Sequence, residues 1–327
     1  MLETAFYCIA DGRHFLGAVA LLNSLRLVGH DEPFFLVDAG LTTEQRTLLA
    51  PHATLITAPN NIHPVFLKPH GPRRHPAGVA IVSDADIIVT RPLTELIEKA
   101  RGGQLVAFVD NPPHDDRFFP EWRDTLGLGP LRRQPYLNAG ELFIPGGLAR
   151  ELLPLWEDAQ TKVDVERTWI GKGKLSEPFY FADMDVLNAI AAASLRPDQI
   201  VFLEHRLAPT PPFAGVTLVD ERALHCSYAG GTQPFLLHHF LGKPWLEAAR
   251  TTVYSALLTR LLLGSDVALR LDPAWVPLRL REGQVAAVDR WRANLQAAVR
   301  SNVRRQLGRF GVRTRLAAWR RRHAVRE

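Results

Sequence analysis

Residues 79–93 read VAIVSDADIIVTRPL. An apolar run ends in two carboxylates at i and i+2, Asp84 and Asp86, and a second apolar run follows at once. The first run, Gly78 to Ser83, has the length and continuous hydrophobicity of a strand buried on both faces. Carboxylates between buried strands are costly unless paired or coordinated, so the pair calls for a compensating cation. Hard divalent ions such as Mn²⁺ or Mg²⁺ take oxygen ligands and leave positions for phosphate oxygens. A solvated turn produces the same pattern, and the segment alone leaves both readings open.

Outward from this segment the chain alternates strands and helices. Upstream, Ala5 to Ala10 is a short strand ending at Asp11-Gly12, and Phe15 to Val28 has helical spacing. Phe34 to Val37 ends at Asp38, Thr42 or Thr43 caps a helix to about Leu49, and Ala53 to Thr57 is a further strand. Downstream, a helix after Pro92 stops near Arg101 at Gly102-Gly103, and Leu105 to Val109 is a strand ending at Asp110. This order predicts an α/β fold, a mostly parallel sheet flanked by helices. Ligands of such sheets sit beyond the carboxyl ends of the strands. Asp11, Asp38, Asp84 and Asp110 follow four of them. Turn chemistry accounts for at least one; four at a common edge point to a cation or a hydroxyl-rich ligand.

The rest is less regular. Asn111 to Pro135 is a long polar loop, Glu141 to Ile144 a short strand, and Gly147 to Val163 a helix. Another helix starts at Asp183, with Asp185 near its positive end. Residues 236–245 read LLHHFLGKPW, in which His238 and His239 both offer an imidazole to the ion. Gly242 allows close backbone approach, and Lys243 brings positive charge for a diphosphate. A structurally packed histidine pair followed by a turn fits the same residues.

The chain of 327 residues is 46% hydrophobic and 22% charged, which excludes a disordered protein. It contains no run approaching the roughly 20 apolar residues of a membrane span. Glu3 stands where a secretory leader needs a basic residue, and Cys8 and Cys226 are too few for a disulfide scaffold. A reducing cytoplasm is the expected location.

Six segments in order resemble the GT-A glycosyltransferases of retaining family 8, the group that includes bacterial lipooligosaccharide galactosyltransferases. They are Ala10-Asp11, Val37-Asp38-Ala39-Gly40-Leu41, Ser83-Asp84-Ala85-Asp86, Tyr136-Leu137-Asn138-Ala139-Gly140, residues 181–189 (FADMDVLNA) and His239-Phe240-Leu241-Gly242 with Lys243-Pro244-Trp245. The match spans about residues 4 to 245. The resemblance implies a GT-A, Rossmann-like fold and transfer of a hexose from a nucleotide-sugar, expected to be UDP-linked, to a glycan or glycolipid acceptor. It implies Mn²⁺ (or Mg²⁺) on Asp84, Asp86 and His239, and nucleotide contacts from Ala10, Asp11, Asp38, Ala85, Gly242 and Lys243. Lys68 or Arg91 would add charge at the leaving group. Asp110, Asn138, Asp183 and Asp185 are the implied sugar and acceptor contacts. Gly242 and Lys243 are adjacent where relatives space them by two residues, and Met184 stands where relatives carry glutamine. A nucleotidyltransferase shares the carboxylate pair and is the competing enzyme reading.

The net charge of +5 is unevenly spread: residues 290–327 hold 12 of the 39 basic residues and one of the 34 acidic ones. Arginines interleave with Leu295, Val299, Val303 and Leu307 at helical spacing, as in a basic amphipathic helix for an anionic membrane surface. A catalytic domain over 1–250 and a helical basic extension over 251–327 are expected, placing the protein at the inner face of the plasma membrane. Nucleic acid is the other polyanion that suits such a tail, and no nucleic-acid partner is expected.

Overall fold

A computed structural model describes residues 2–60, 62–240, 245, 252–277 and 280–281. The first half runs β1 (Leu2–Ala10), α1 (Phe15–Leu27), β2 (Phe34–Asp38), α2 (Thr43–Leu49), β3 (Thr54–Thr57), α3 (His70–Arg74), β4 (Ala77–Ser83), β5 (Ile87–Val89), α4 (Thr94–Arg101) and β6 (Leu105–Val109). The second half runs α5 (Glu121–Leu126), β7 (Leu137–Pro145), α6 (Gly146–Gln160), α7 (Asp183–Ser194), β8 (Ile200–Leu203), β9 (Val216–Asp220), β10 (His225–Tyr228), β11 (Leu236–His238) and α8 (Val253–Leu263).

Seven strands form one sheet in the order β3-β2-β1-β4-β7-β6-β8. All neighbours pair parallel except β7, which is antiparallel to both β4 and β6. The expected mostly parallel sheet with flanking helices is what the chain forms. Side chains alternate across it: Phe6 and Cys8 of β1 join one core with α1, α4 and α8, while Ala5 and Tyr7 join the other with α6 and α7. Burial on both faces is why the strand sequences read as unbroken apolar runs.

Some boundaries moved. The strand expected from Glu141 begins at Leu137, because Leu137 and Asn138 pair with Val109 and Phe108 of β6 although Asn138 looks like a loop residue. Its register with β6 skips from Leu142 to Asn138 between Ala107 and Phe108, so residues 139–141 bulge out of that ladder. Bulges of this kind re-aim side chains beside sites. The long loop after Asp110 contains α5, ended by Gly127 at φ +68 in the left-handed region. The helix expected to reach Val163 ends at Gln160.

The division expected at residue 250 falls between Trp245 and α8, and both pack into the core that α1 fills. Buried Asn23 of α1 donates to the Leu261 and Leu269 carbonyls at 2.7 and 2.8 Å, stitching α1 to α8. The basic run after residue 281 lies outside the described residues.

Candidate functional site

Because β1, β2, β4 and β6 point the same way, their carboxyl ends share an edge. Asp38, Asp11, Asp84 and Asp110 lie along it in that order across the sheet. The reversed β7 puts its first residues, Leu137 and Asn138, between Asp84 and Asp110.

β5 leaves the Asp84–Asp86 turn and pairs antiparallel with β11, setting His238 opposite Ile87. His238 Nε2 consequently lies 3.4 Å from Asp86 Oδ1 and 3.7 Å from Asp84 Oδ2. Among the described residues, these three supply the group of ligand atoms close enough to meet at one ion, all within 4.8 Å of one another. Asp86 Oδ1 and His238 Nε2 are buried and make no hydrogen bond. Burial pulls the His238 imidazole down, but the Asp86 and Asp84 carboxylates outweigh it and raise its pKa. Converging oxygen and imidazole donors with unused lone pairs fit a divalent cation such as Mn²⁺.

Backbone contacts hold this arrangement. The Asp84 N–H donates to the Gly140 carbonyl at 2.7 Å, and the Asp86 carbonyl accepts from His239 N–H at 3.0 Å and from the Tyr254 hydroxyl of α8 at 2.9 Å. Gly140 must be glycine: a Cβ there would stand 2.3 Å from His238 Cε1. Gly17 of α1 plays the same part behind the turn, where a Cβ would meet the Ala85 carbonyl at 2.2 Å and the Trp245 ring at 2.5 Å. Trp245 is anchored there by its indole N–H, which donates to the Arg13 carbonyl at 2.7 Å.

The expectation that His239 is the metal ligand is corrected. Side chains of neighbouring strand residues point to opposite faces, and the His239 ring packs on Tyr254 and Phe213, with centroids 5.0 and 6.0 Å away. His238 takes its place. His238→Ala is therefore expected to weaken Mn²⁺ binding at least about tenfold, whereas His239→Ala leaves it within about twofold; a Mn²⁺ titration of each variant checks this. Affinity should also rise with pH, because metal binding must displace the proton that the carboxylates help His238 retain.

Lys68, just after the helical turn Pro64–Leu67, is buried and bridges two carboxylates. Its ammonium lies 3.0 Å from Asp84 Oδ1 and 3.0 Å from Asp183 Oδ2, and it donates to the Ala139 carbonyl at 2.8 Å. Burial alone would lower its pKa; Asp183 and Asp84 override that and raise it. Asp183 begins α7, and burial lifts its carboxyl to about 6 against the opposing pull of Lys68. Lys68 thus fixes Asp84 and Asp183 relative to each other. Ala182, immediately before, is buried with φ +51, a strained backbone for a residue with a side chain.

Asn138 and Asp110 come together, with the Asn138 amide donating to Asp110 Oδ1 at 2.8 Å. Asp185 is placed elsewhere. Its side chain is fully buried: Arg117 meets it at 2.7 and 3.2 Å, the Tyr136 hydroxyl at 2.8 Å and the Phe181 N–H at 2.7 Å. Arg117 also donates to the Leu175 and Glu177 carbonyls. The expected sugar-facing role of Asp185 is therefore corrected: it clamps the loop after β6 to the loop before α7. Asn188 completes the clamp by bonding both the N–H and the carbonyl of Leu137.

At the other end of the edge, Asp11 accepts from the Arg13 and His14 N–H groups and lies 2.7 Å from the His14 ring. Burial opposes ionisation of Asp11, and His14 with those N–H groups more than reverses it, so its pKa is lowered. Asp38 accepts from the Gly40 and Leu41 N–H groups and from Arg46, and the Ala10 carbonyl accepts from Ala39 N–H. Both carboxylates close turns in this structure. Arg91, expected near the leaving group, instead lies over the Phe235 ring at 3.4 Å. Gly242 and Lys243 lie outside the described residues.

Glu141, next in β7 and 2% exposed, carries no expected role from sequence. Burial raises its carboxyl to about 8; the neighbouring Ser83 hydroxyl opposes this and the Asp84 charge adds to it. The unfolded carboxyl ionises near 4.5, so between there and about 8 the native state holds more protons than the unfolded state. Stability from this group is present below about 4.5 and falls as pH rises through about 8. Denaturant midpoints across that range should flatten in Glu141→Gln.

No family model matches the chain, and no curated protein matches it. Solved structures do. An active-site mutant of LgtC, with glutamate in place of a glutamine, aligns at 16% identity over 83% of this chain and 98% of its own, with a TM-score of 0.52. The bifunctional glycosyltransferase WbbM aligns at 14% identity over 82% of this chain, which spans 50% of the length of WbbM, again with a TM-score of 0.52. A second structure of LgtC, a galactosyltransferase in complex with donor and acceptor sugar analogues, aligns at 18% identity over 79% of this chain and 94% of its own, with a TM-score of 0.49. The seven-stranded mixed sheet of this chain, with its helices on both faces, is therefore the GT-A fold found in these glycosyltransferases.

Proposed function

We propose that the chain is a metal-dependent, retaining glycosyltransferase that transfers a hexose from a UDP-sugar to a cell-surface glycan or glycolipid. The observation that carries this reading is the convergence of Asp84, Asp86 and His238 at the ligand-binding edge of a GT-A sheet. The structural relative WbbM is a glycosyltransferase, and sugar transfer is the chemistry carried over here.

Asp84, Asp86 and His238 would hold Mn²⁺ or Mg²⁺. When bound, the ion supplies Lewis-acid stabilisation to a diphosphate leaving group. The chain's own residues set the geometry. Lys68 holds Asp84 and Asp183 in fixed register, so that Asp183 faces the sugar from beside the ion site. Asn138, braced on Asp110, closes the other side. In transfer with retention, the bond from the anomeric carbon to the phosphate oxygen breaks, and the acceptor oxygen bonds to that carbon on the same face. The acceptor proton passes to the departing phosphate oxygen, so no protein nucleophile is required.

The test is a panel of UDP-sugars with Mn²⁺, followed by thermal shift and by release of UDP. UDP and Mn²⁺ together should stabilise the full chain by about 2.7 kcal/mol at a hundredfold excess over Kd, and one UDP-sugar should yield UDP. No UDP from any UDP-sugar, with pyrophosphate released from UTP in the presence of a sugar 1-phosphate, would make the chain a nucleotidyltransferase.

The basic run 290–327 is assigned to an anionic membrane surface, where each basic residue contributes about 1 kcal/mol. No helix among the described residues is long and apolar enough to cross a membrane. Truncation after Asp289 is expected to abolish sedimentation with phosphatidylserine vesicles while keeping turnover on a soluble acceptor. Unchanged sedimentation counts against the assignment, as does loss of turnover.

A further inference from the structure

Among the described residues, the exposed large apolar side chains are Leu2, Ile62, Trp169, Leu175, Val219 and Phe240. Such residues scattered singly need no explanation, whereas a group of them marks an interaction surface. Four of these six sit on loops that border the ion site. Phe240 follows β11, with its ring 6.1 Å from that of His238. Ile62 adjoins His63, which caps the helical turn leading to Lys68 and lies within electrostatic reach of Asp11. Trp169 meets the His63 ring edge-on at 6.2 Å, and its N–H donates to the carbonyl of Tyr180, three residues before Asp183. Leu175 lies in the same loop, its carbonyl held by Arg117.

Residues 169–175 read WIGKGKL. Their exposure is built into the loop. Thr168, immediately before, is fully buried, and its carbonyl accepts from the Gly173 N–H at 2.7 Å. Gly171 and Gly173 press on the preceding backbone, where a Cβ would stand 2.3 Å from Glu166 Cα and 2.0 Å from the Arg167 carbonyl. A loop folded this tightly on itself still leaves Trp169 and Leu175 47% and 48% exposed. Lys172 and Lys174 are exposed between them, and no acidic residue lies in the segment. Indole and aliphatic side chains interleaved with lysines suit the headgroup layer of a membrane: the ring sits at headgroup level and the ammonium groups meet anionic phosphates. A sugar ring would stack on Trp169, but it would call for neither Leu175 nor two lysines. We propose that residues 169–175 insert into the headgroup layer of an anionic bilayer, so that the mouth of the ion site opens onto the membrane. One such loop is too small to hold the chain there alone, so it acts together with the basic run 290–327. A further step rests on the reading given under Proposed function: the acceptor is then anchored in that bilayer, a glycolipid and not a free glycan.

The experiment uses the full chain with Leu175→Cys carrying an environment-sensitive fluorophore, since Cys8 and Cys226 are buried and escape labelling. On vesicles of mixed phosphatidylcholine and phosphatidylserine, its emission should shift to the blue and be quenched by lipids brominated on their acyl chains. The same label at Val219→Cys, exposed but away from the ion site, should show neither change. Trp169→Ala combined with Leu175→Ser should weaken sedimentation with these vesicles about tenfold or more, with unchanged circular dichroism, whereas Val219→Ser changes it by about twofold at most. A chain that sediments while the label at residue 175 neither shifts nor is quenched would overturn the proposal, because the loop then stays in water. A label that responds to a soluble disaccharide such as cellobiose and not to vesicles would overturn it too, by making the loop a sugar platform. Failure of wild type to bind UDP with Mn²⁺ is a separate result: with the label inserted, the membrane contact stands, and the acceptor assignment falls together with the glycosyltransferase reading.

Discussion

Asp84→Asn combined with Asp86→Asn is expected to cut Mn²⁺-dependent UDP release about a thousandfold or more. Lewis-acid stabilisation of the leaving diphosphate supplies several kcal/mol, and about 4 kcal/mol corresponds to three powers of ten in rate. Neutral amides keep the shape of the turn but bind a hard cation poorly. The fold should persist, because the contacts that fix the turn are backbone ones, to Gly140, His239 and Tyr254. Stability will not be untouched. Lys68 loses one of its two carboxylate partners while remaining buried, so a lower Tm with unchanged circular dichroism is the expected physical signature. Turnover retained in the double variant would show that catalysis does not pass through this cluster.

Arg117→Met should have the largest effect on stability. Its guanidinium and the Asp185 carboxylate are 7% and 0% exposed, and removing one member of such a pair strands the other charge in the core at a cost of about 3–5 kcal/mol. Further contacts leave with it, because the same guanidinium holds the Leu175 and Glu177 carbonyls and lies over the Phe119 and Phe181 rings. Urea unfolding of Arg117→Met, Asp185→Leu and the double variant separates the terms. The double variant should recover much of the loss, since replacing a buried pair with apolar groups is often nearly neutral. If instead Asp185→Leu unfolds no more easily than wild type yet stops transfer, Asp185 touches the sugar and the clamp is not its purpose.

These two predictions also mark where sequence sufficed. The strand-helix alternation around Asp84 carried the sheet and its parallel sense, because burial on both faces forces continuous apolar runs that are easily read. The four strand-end carboxylates do share an edge, since that follows from parallel direction alone. The choice between adjacent imidazoles did not follow. Whether His238 or His239 meets Asp86 depends on the register of β11 against β5, and a one-residue slip exchanges the faces. The Arg117–Asp185 pair was likewise hidden, because it joins residues 68 apart through a loop whose path has no local code. Glu141 did leave a trace: a carboxyl inside the apolar strand LNAGELFIP is out of place unless it is held protonated, as it is beside the Ser83 hydroxyl. Lys68 had a weaker one, a lone lysine after the apolar turn Pro64–Leu67, whose two partners come from the end of a distant strand and the start of a distant helix.

The most direct test of the account is a crystal structure of the full chain soaked with Mn²⁺ and UDP, using anomalous scattering to locate the metal. A single peak within bonding distance of Asp84, Asp86 and His238, with the diphosphate on its open side, is the expected result. A peak on the His239 side, or none between those three side chains while UDP is bound, would contradict it.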